Sequence, residues 1–243
     1  MKYRDELPDS STQAATRLGF WTSLSIMILT LITFALAISA TPITGPWCQA
    51  DCVQYPFADV VAKVPHDYLW LYPAVLLELG VVILFASLHH SAAARHKVYS
   101  QIALLFAGMS ALLVSADYYM QFAALQPSIV RGEQEGVALF SQYNTHGVFI
   151  VLEELGYFLM GLALLFAAPV FAQPTRLARV LRWLFVAAAI LTLGGWFAFY
   201  GFYGFNLEYR FEVYTISVNW LTLIIAGIPL SRWFLGRGRS SAL

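Results

Sequence analysis

Charge is scarce in this chain. Only 12 % of its 243 residues are Asp, Glu, Lys or Arg, while 59 % are hydrophobic; a soluble domain carries about twice that share of charge. The 14 acidic and 14 basic residues cancel, and no basic face stands out. Nucleic-acid binding therefore has no electrostatic footprint here. Other absences are equally informative. There is no repeat at a solenoid period, no low-complexity stretch, no HExxH motif, and no inverted repeat or pair of interrupted helices of the kind secondary transporters show. Histidines number five, and none falls mid-segment, so a bis-histidine haem clamped between helices is not expected.

What remains is apolar sequence in blocks. Six segments, near 19–41, 67–90, 99–124, 147–171, 182–204 and 213–234, are long enough to cross a bilayer. A spanning segment must satisfy its own backbone hydrogen bonds, so each is expected to be helical. The fold class is all-α, a polytopic transmembrane bundle of about six helices in contact with the lipid bilayer. Residues 1–18 form an N-terminal segment, 19–234 the transmembrane domain with longer loops near 42–66 and 125–146, and 235–243 a tail. Lys and Arg placement sets the orientation. With a cytoplasmic N-terminus, Lys2, Arg4, Arg17, Arg95, Lys97, Arg176, Arg179, Arg182, Arg232, Arg237 and Arg239 lie inside, and only Lys63, Arg131 and Arg210 lie outside. Both termini are expected to be cytoplasmic and the membrane to be the plasma membrane. ALAISATP (35–42) has the look of a signal-peptidase site, but the run before it exceeds the 7–15 residues of a signal core, so a retained first helix is expected.

Cysteine occurs twice, as Cys48 and Cys52 in WCQADC of the first long loop. On the outer, oxidising side a disulfide is expected. A redox or metal pair would want a thiolate-stabilising neighbour, and Asp51 is the opposite.

The sharpest signal is VFIVLEELGYFLMG (148–161), where Glu153 and Glu154 interrupt an apolar run. Glu78 and Asp117 lie inside other segments. Each charged group near the bilayer centre costs about 2.5–3.5 kcal/mol on insertion scales, so such residues face the protein interior or a wet cavity. Helical spacing puts Asp67, Glu78 and His89 on one stripe, Ser110, Asp117 and Gln121 on another, and His146, Glu153 and Tyr157 on a third. Glu212, Thr215, Asn219 and Thr222 form a polar seam on the last segment. Glu154 points about 100° from Glu153 and needs a different partner. Counted at about 1.5 Å per residue, Asp117, Glu153 and Glu154 share one level in the outer half, with Glu78 near the midplane. The expected site is an outward-facing acidic cavity binding a cationic or polar small molecule. Its candidate ligand residues are Glu78, Asp117, Glu153, Glu154, Tyr157, Asn219 and Glu212, with Tyr118, Tyr119 and Tyr214 as further phenolic donors. Buried like charges cannot all ionise, so at least one carboxyl is expected to hold a proton.

Alternatives are a metal-dependent hydrolase or lipid-modifying enzyme, with Asp117, His146 and Glu153 as a metal set that no spaced motif supports, and a structural scaffold or accessory subunit whose polar residues only join helices. His66 and His146 stand at the outer mouth. His89, His90 and His96 read as interfacial. No cofactor or oligomeric state is legible.

SQYNTHGVFIVLEELGYFLMGL (141–162) and YRFEVYTISVNWL (209–221) resemble an uncharacterised family of bacterial six-span integral membrane proteins. The likeness covers about the last four helices. It implies a six-span fold in a bacterial cytoplasmic membrane and carries no activity or site residues.

Overall fold

The computed structural model describes residues 10–40, 43–57 and 59–240. Lys2, Arg4, the end of ALAISATP and the last three residues of the expected tail lie outside them. Eight α-helices follow in order: α1 Ser10–Ala37, α2 Leu71–Ser91, α3 Lys97–Met120, α4 Gln126–Arg131, α5 Val137–Phe140, α6 Val148–Ala167, α7 Arg176–Tyr203 and α8 Arg210–Ser240. No strand occurs among the described residues. Six helices are long and apolar enough to cross a membrane, built on α1, α2, α3, α6, α7 and α8.

Packing closes these six into a ring. α1 lies against α2 and α8, α2 against α3, α3 against α6, and α7 against both α6 and α8. A further contact between α6 and α8 crosses the interior. α6 thus touches three neighbours, which explains why so much of it is buried, both glutamates included. The connections 43–70 and 126–147 lie at one end, called here the loop end. Arg95, Lys97, Arg176 and Arg179 flank the turns at the other.

α3 runs into α4 through a π-turn, Gln121–Leu125, in which the Gln126 amide donates to the Gln121 carbonyl. Pro127 follows directly. Proline has no N–H and its ring crowds the carbonyl four residues back, so a wider turn relieves the helix just before it.

Small residues decide how closely the helices approach. Gly156 on α6 faces Val114 on α3, where a Cβ would overlap the valine methyl. Beside it the Ser110 hydroxyl donates to the Gly156 carbonyl at 2.7 Å. Packing of small residues, supplemented by hydroxyl bonds, is how membrane helices associate when lipid is as apolar as leucine. Gly156→Val is therefore expected to destabilise the bundle by about 1–3 kcal/mol through overpacking. Gly194→Ala, where the added methyl meets no neighbouring element within 4 Å, should keep stability or raise it by up to about 1 kcal/mol, since glycine is the poorer helix former. Thermal unfolding of the purified protein in detergent distinguishes the two.

Candidate functional site

The interior between α2, α3, α6 and α8 holds the carboxylates. Asp117 and Glu153 are fully buried, Glu78 nearly so, and Glu154 and Glu212 are buried at their edges. Two of the stripes read from spacing turn inward whole: Ser110, Asp117 and Gln121 on α3 and its π-turn, and Glu212, Thr215, Asn219 and Thr222 on α8, are all buried. The other two do so in part, since Asp67 lies on a short turn before α2, His89 is half-buried and His146 is exposed.

Glu153 is the centre of a network. The Tyr118 hydroxyl donates to Glu153 Oε1 at 2.5 Å. The Tyr118 and Tyr157 hydroxyls lie 2.9 Å apart, and the Trp220 indole donates to the Tyr157 hydroxyl at 3.0 Å. With its one proton committed to the carboxylate, Tyr118 accepts from Tyr157, so the donors run Trp220, Tyr157, Tyr118 toward Glu153. The Glu212 carboxyl is a close neighbour of Glu153, whose Oε2 has no hydrogen-bond partner among the described residues. Two buried carboxyl groups so placed cannot both be ionised. Asp117 lies close enough to act electrostatically on Glu153. Among the described residues both Asp117 oxygens and one Glu78 oxygen have no hydrogen-bond partner.

Glu154 does turn elsewhere. Its Oε2 accepts from the Tyr200 hydroxyl on α7 at 2.8 Å. Asn219 occupies a third position: its Nδ2 donates to the Thr215 carbonyl at 2.8 Å and reaches the Tyr157 carbonyl at 3.4 Å and Thr192 Oγ1 at 3.5 Å. It joins α6, α7 and α8 below the carboxylates.

Aromatic rings lie over this cluster. Trp70 packs edge-on against Tyr118 at 5.1 Å and against Trp220 at 6.2 Å between ring centres. Above them, at the loop end, is a cavity of about 200 Å³ whose walls include Trp47, Asp67, Trp70, Tyr143, Tyr209 and Glu212. A second cavity of about 230 Å³ lies between α1 and α8 and shares Ala37, Trp70, Glu212 and Val213 with the first. Neither is lined by Lys, Arg or His.

The loop-end wall is well braced. Asp67 Oδ2 accepts from the Tyr143 hydroxyl at 3.1 Å and its Oδ1 from His66 Nδ1 at 3.0 Å. Burial, with Tyr68 and Asp67 nearby, pushes the Tyr143 phenol well above its ordinary range, so it stays a donor. Burial likewise raises Tyr209, whose hydroxyl donates to the Gln142 carbonyl at 3.1 Å. Thr44 must then donate to Tyr209, 2.5 Å away. The Tyr209 ring stacks on Trp47 at 6.4 Å and fills the place a Cβ on Gly45 would take; Gly45 also has φ +69°, a left-handed conformation suited to glycine. Cys48 and Cys52 form the expected disulfide beside Trp47.

Several expectations need correction. Of the proposed ligand residues, Glu212 reaches the cavities, whereas Glu78, Asp117, Glu153, Glu154, Tyr157 and Asn219 line neither. Tyr119 points outward, 59 % exposed, with its ring edge on Phe122. Tyr214 leaves the cluster to donate to the Leu191 carbonyl at 3.1 Å. Asp117, His146 and Glu153 do not converge as a metal set: His146 is exposed beside Thr145, while the two acids are buried. No group of three or more His, Cys, Asp and Glu suited to a metal occurs among the described residues. Sequence reasoning missed Tyr200, Trp70, Trp220 and the Tyr143–Asp67 pair. Their signal is only that aromatic residues with a polar tip are abundant beside acids; which ring meets which acid depends on helix adjacency.

Comparison with protein-family models, curated proteins and solved structures finds no match.

The Tyr200–Glu154 bond is separable from the rest. Tyr200→Phe is expected to lower stability by about 1–2 kcal/mol, at the upper end for such bonds between membrane helices. In a Glu154→Leu background the same change should cost much less, because no acid is left unpaired. A double-mutant cycle of unfolding free energies measures the difference.

Proposed function

We propose that this chain is a plasma-membrane protein, with both termini cytoplasmic, that binds a small organic cation from the loop-end side for transport or sensing. The observation that carries the reading is the cavity shared by Asp67 and Glu212 and walled by Trp47, Trp70 and Tyr209, with no basic side chain on it. Carboxylates supply opposite charge, and aromatic faces attract a cation by about 0.5–2 kcal/mol each. Pockets for drug-sized ligands run about 300–1,000 Å³, so a smaller ligand fits this one. The excess of Lys and Arg at the opposite end supports the orientation.

Behind Glu212 the neighbouring Glu153 offers a reason for the buried cluster. A cation at Glu212 favours its ionised form, and the proton the two acids share then moves onto Glu153, which Tyr118 already contacts. Ligand binding and internal proton position are thereby linked. The enzyme alternative finds no converging set of metal ligands among the described residues. The scaffold alternative explains the Asn219 and Tyr200 bonds but leaves Asp117 and the acidic cavity without a purpose.

Titration calorimetry with tetramethylammonium tests the reading. Wild-type protein is expected to bind it, and Glu212→Gln and Asp67→Asn to weaken binding at least tenfold while unfolding at nearly the wild-type temperature. Equal affinity in all three proteins would sink the proposal.

A further inference from the structure

We propose that the ligand is a single-chain amphiphile with a cationic head, whose head sits at Glu212 and whose alkyl tail lies in the cavity between α1 and α8. This rests on the cation-binding reading above and names the class of ligand.

Three observations lead there. First, the two cavities are continuous in their lining: Ala37, Trp70, Glu212 and Val213 belong to both. Their characters differ. The loop-end cavity has Asp67, Thr44, Gln142 and two tyrosines on its wall. The α1–α8 cavity has Phe34, Ile38, Ile216 and Trp220, with Ser217 its only polar residue besides Glu212. The Ser217 hydroxyl is already spent on the Val213 carbonyl at 2.7 Å. A ligand filling both must be polar at one end and apolar at the other.

Second, the apolar cavity has an exposed apolar edge. Ile38, in the turn that follows α1, and Val213, in the first turn of α8, are 71 % and 44 % exposed. Both stand where the two spanning helices meet the loop end, so an amphiphile at the membrane surface can bring its tail to this edge. Phe34 sets the inner limit, its ring edge-on to Trp220 at 5.8 Å between centres.

Third, the acid at the junction has no basic partner on either cavity wall. Glu212 is only 9 % exposed and no basic residue lines either cavity. Behind it, fully buried Asp117 has two oxygens without a partner among the described residues. An ammonium head beside Glu212 would hold that carboxyl ionised, its proton passing to Glu153 as above. An anionic head would oppose that ionisation. A tail alone would leave the carboxyl without a partner in the cavity.

The test uses alkyltrimethylammonium probes from methyl to hexyl, titrated into protein in maltoside micelles, with protein-free micelles subtracted. Wild-type affinity is expected to rise about threefold for each methylene added, as burial of about 0.8 kcal/mol per methylene implies with some loss to chain ordering. Ser217→Trp, which fills the apolar cavity from its exposed edge, should bind tetramethylammonium as the wild type does but lose the gain with chain length. Ala37→Leu, a smaller intrusion, should lose part of it and guards against misfolding of the first variant. If wild-type protein binds tetramethylammonium but gains nothing with chain length, or if Ser217→Trp keeps the full gain, the tail site is wrong and the cation site stands. If no probe of any length binds, the cation reading falls and this inference falls with it.

Discussion

Hydrocarbon forms no hydrogen bonds, and the rest of this structure follows from that constraint. A polar side chain on a membrane-spanning helix has to turn away from lipid and find a partner inside. Seams on α3, α6 and α8 do so together, and their meeting point is Glu153. Tyr118 holds it from α3, Tyr157 and Trp220 extend the chain of donors, and Glu212 ties it to the base of the loop-end cavity. The ring of helices is therefore organised about one acid that lies outside both cavities and stands next to another that lines them.

Two kinds of polar contact are layered along the bundle. Asn219, Thr192 and Ser110 form bonds to backbone or hydroxyl groups that would serve any helical bundle. The carboxylates differ, because Asp117 and Glu78 are buried with oxygens left over. A bundle that needed only cohesion would gain from replacing them with apolar residues of similar size. Buried beside an acidic, aromatic-walled cavity, they are the part of the polar interior that cohesion between helices does not explain.

Much of this was legible before any coordinates. Block hydrophobicity located all six spans, because helix length is dictated by the bilayer. Eleven-residue and seven-residue spacings put Glu78, Asp117 and the α8 seam on buried faces, since helical periodicity does not depend on neighbours. The 100° offset between Glu153 and Glu154 foretold separate partners, and they have Tyr118 and Tyr200. Spacing along one helix says nothing about which helix stands opposite, however, so Tyr200 and Trp220 were missed and Tyr119 was placed on the wrong side. Nor does position along a helix reveal access: Asp117 and Glu153 are buried neighbours, yet neither lines the cavity at the loop end, whose wall includes Trp70, packed on Tyr118.

The π-turn after Asp117 has an evolutionary reading. One extra residue is accommodated between Gln121 and Leu125, which rotates everything after it by about 100° relative to a regular α-helix. Ile129 and Gln126 are buried in consequence, and the Gln121 amide reaches across to the Phe140 carbonyl at 2.8 Å. A chain that shed this residue would regain a straight helix and swing the 126–131 segment off the protein. Insertions and deletions elsewhere in the loop-end connections change only loop length; at this turn a single residue sets the rotational phase of the segment that leads into the cavity wall.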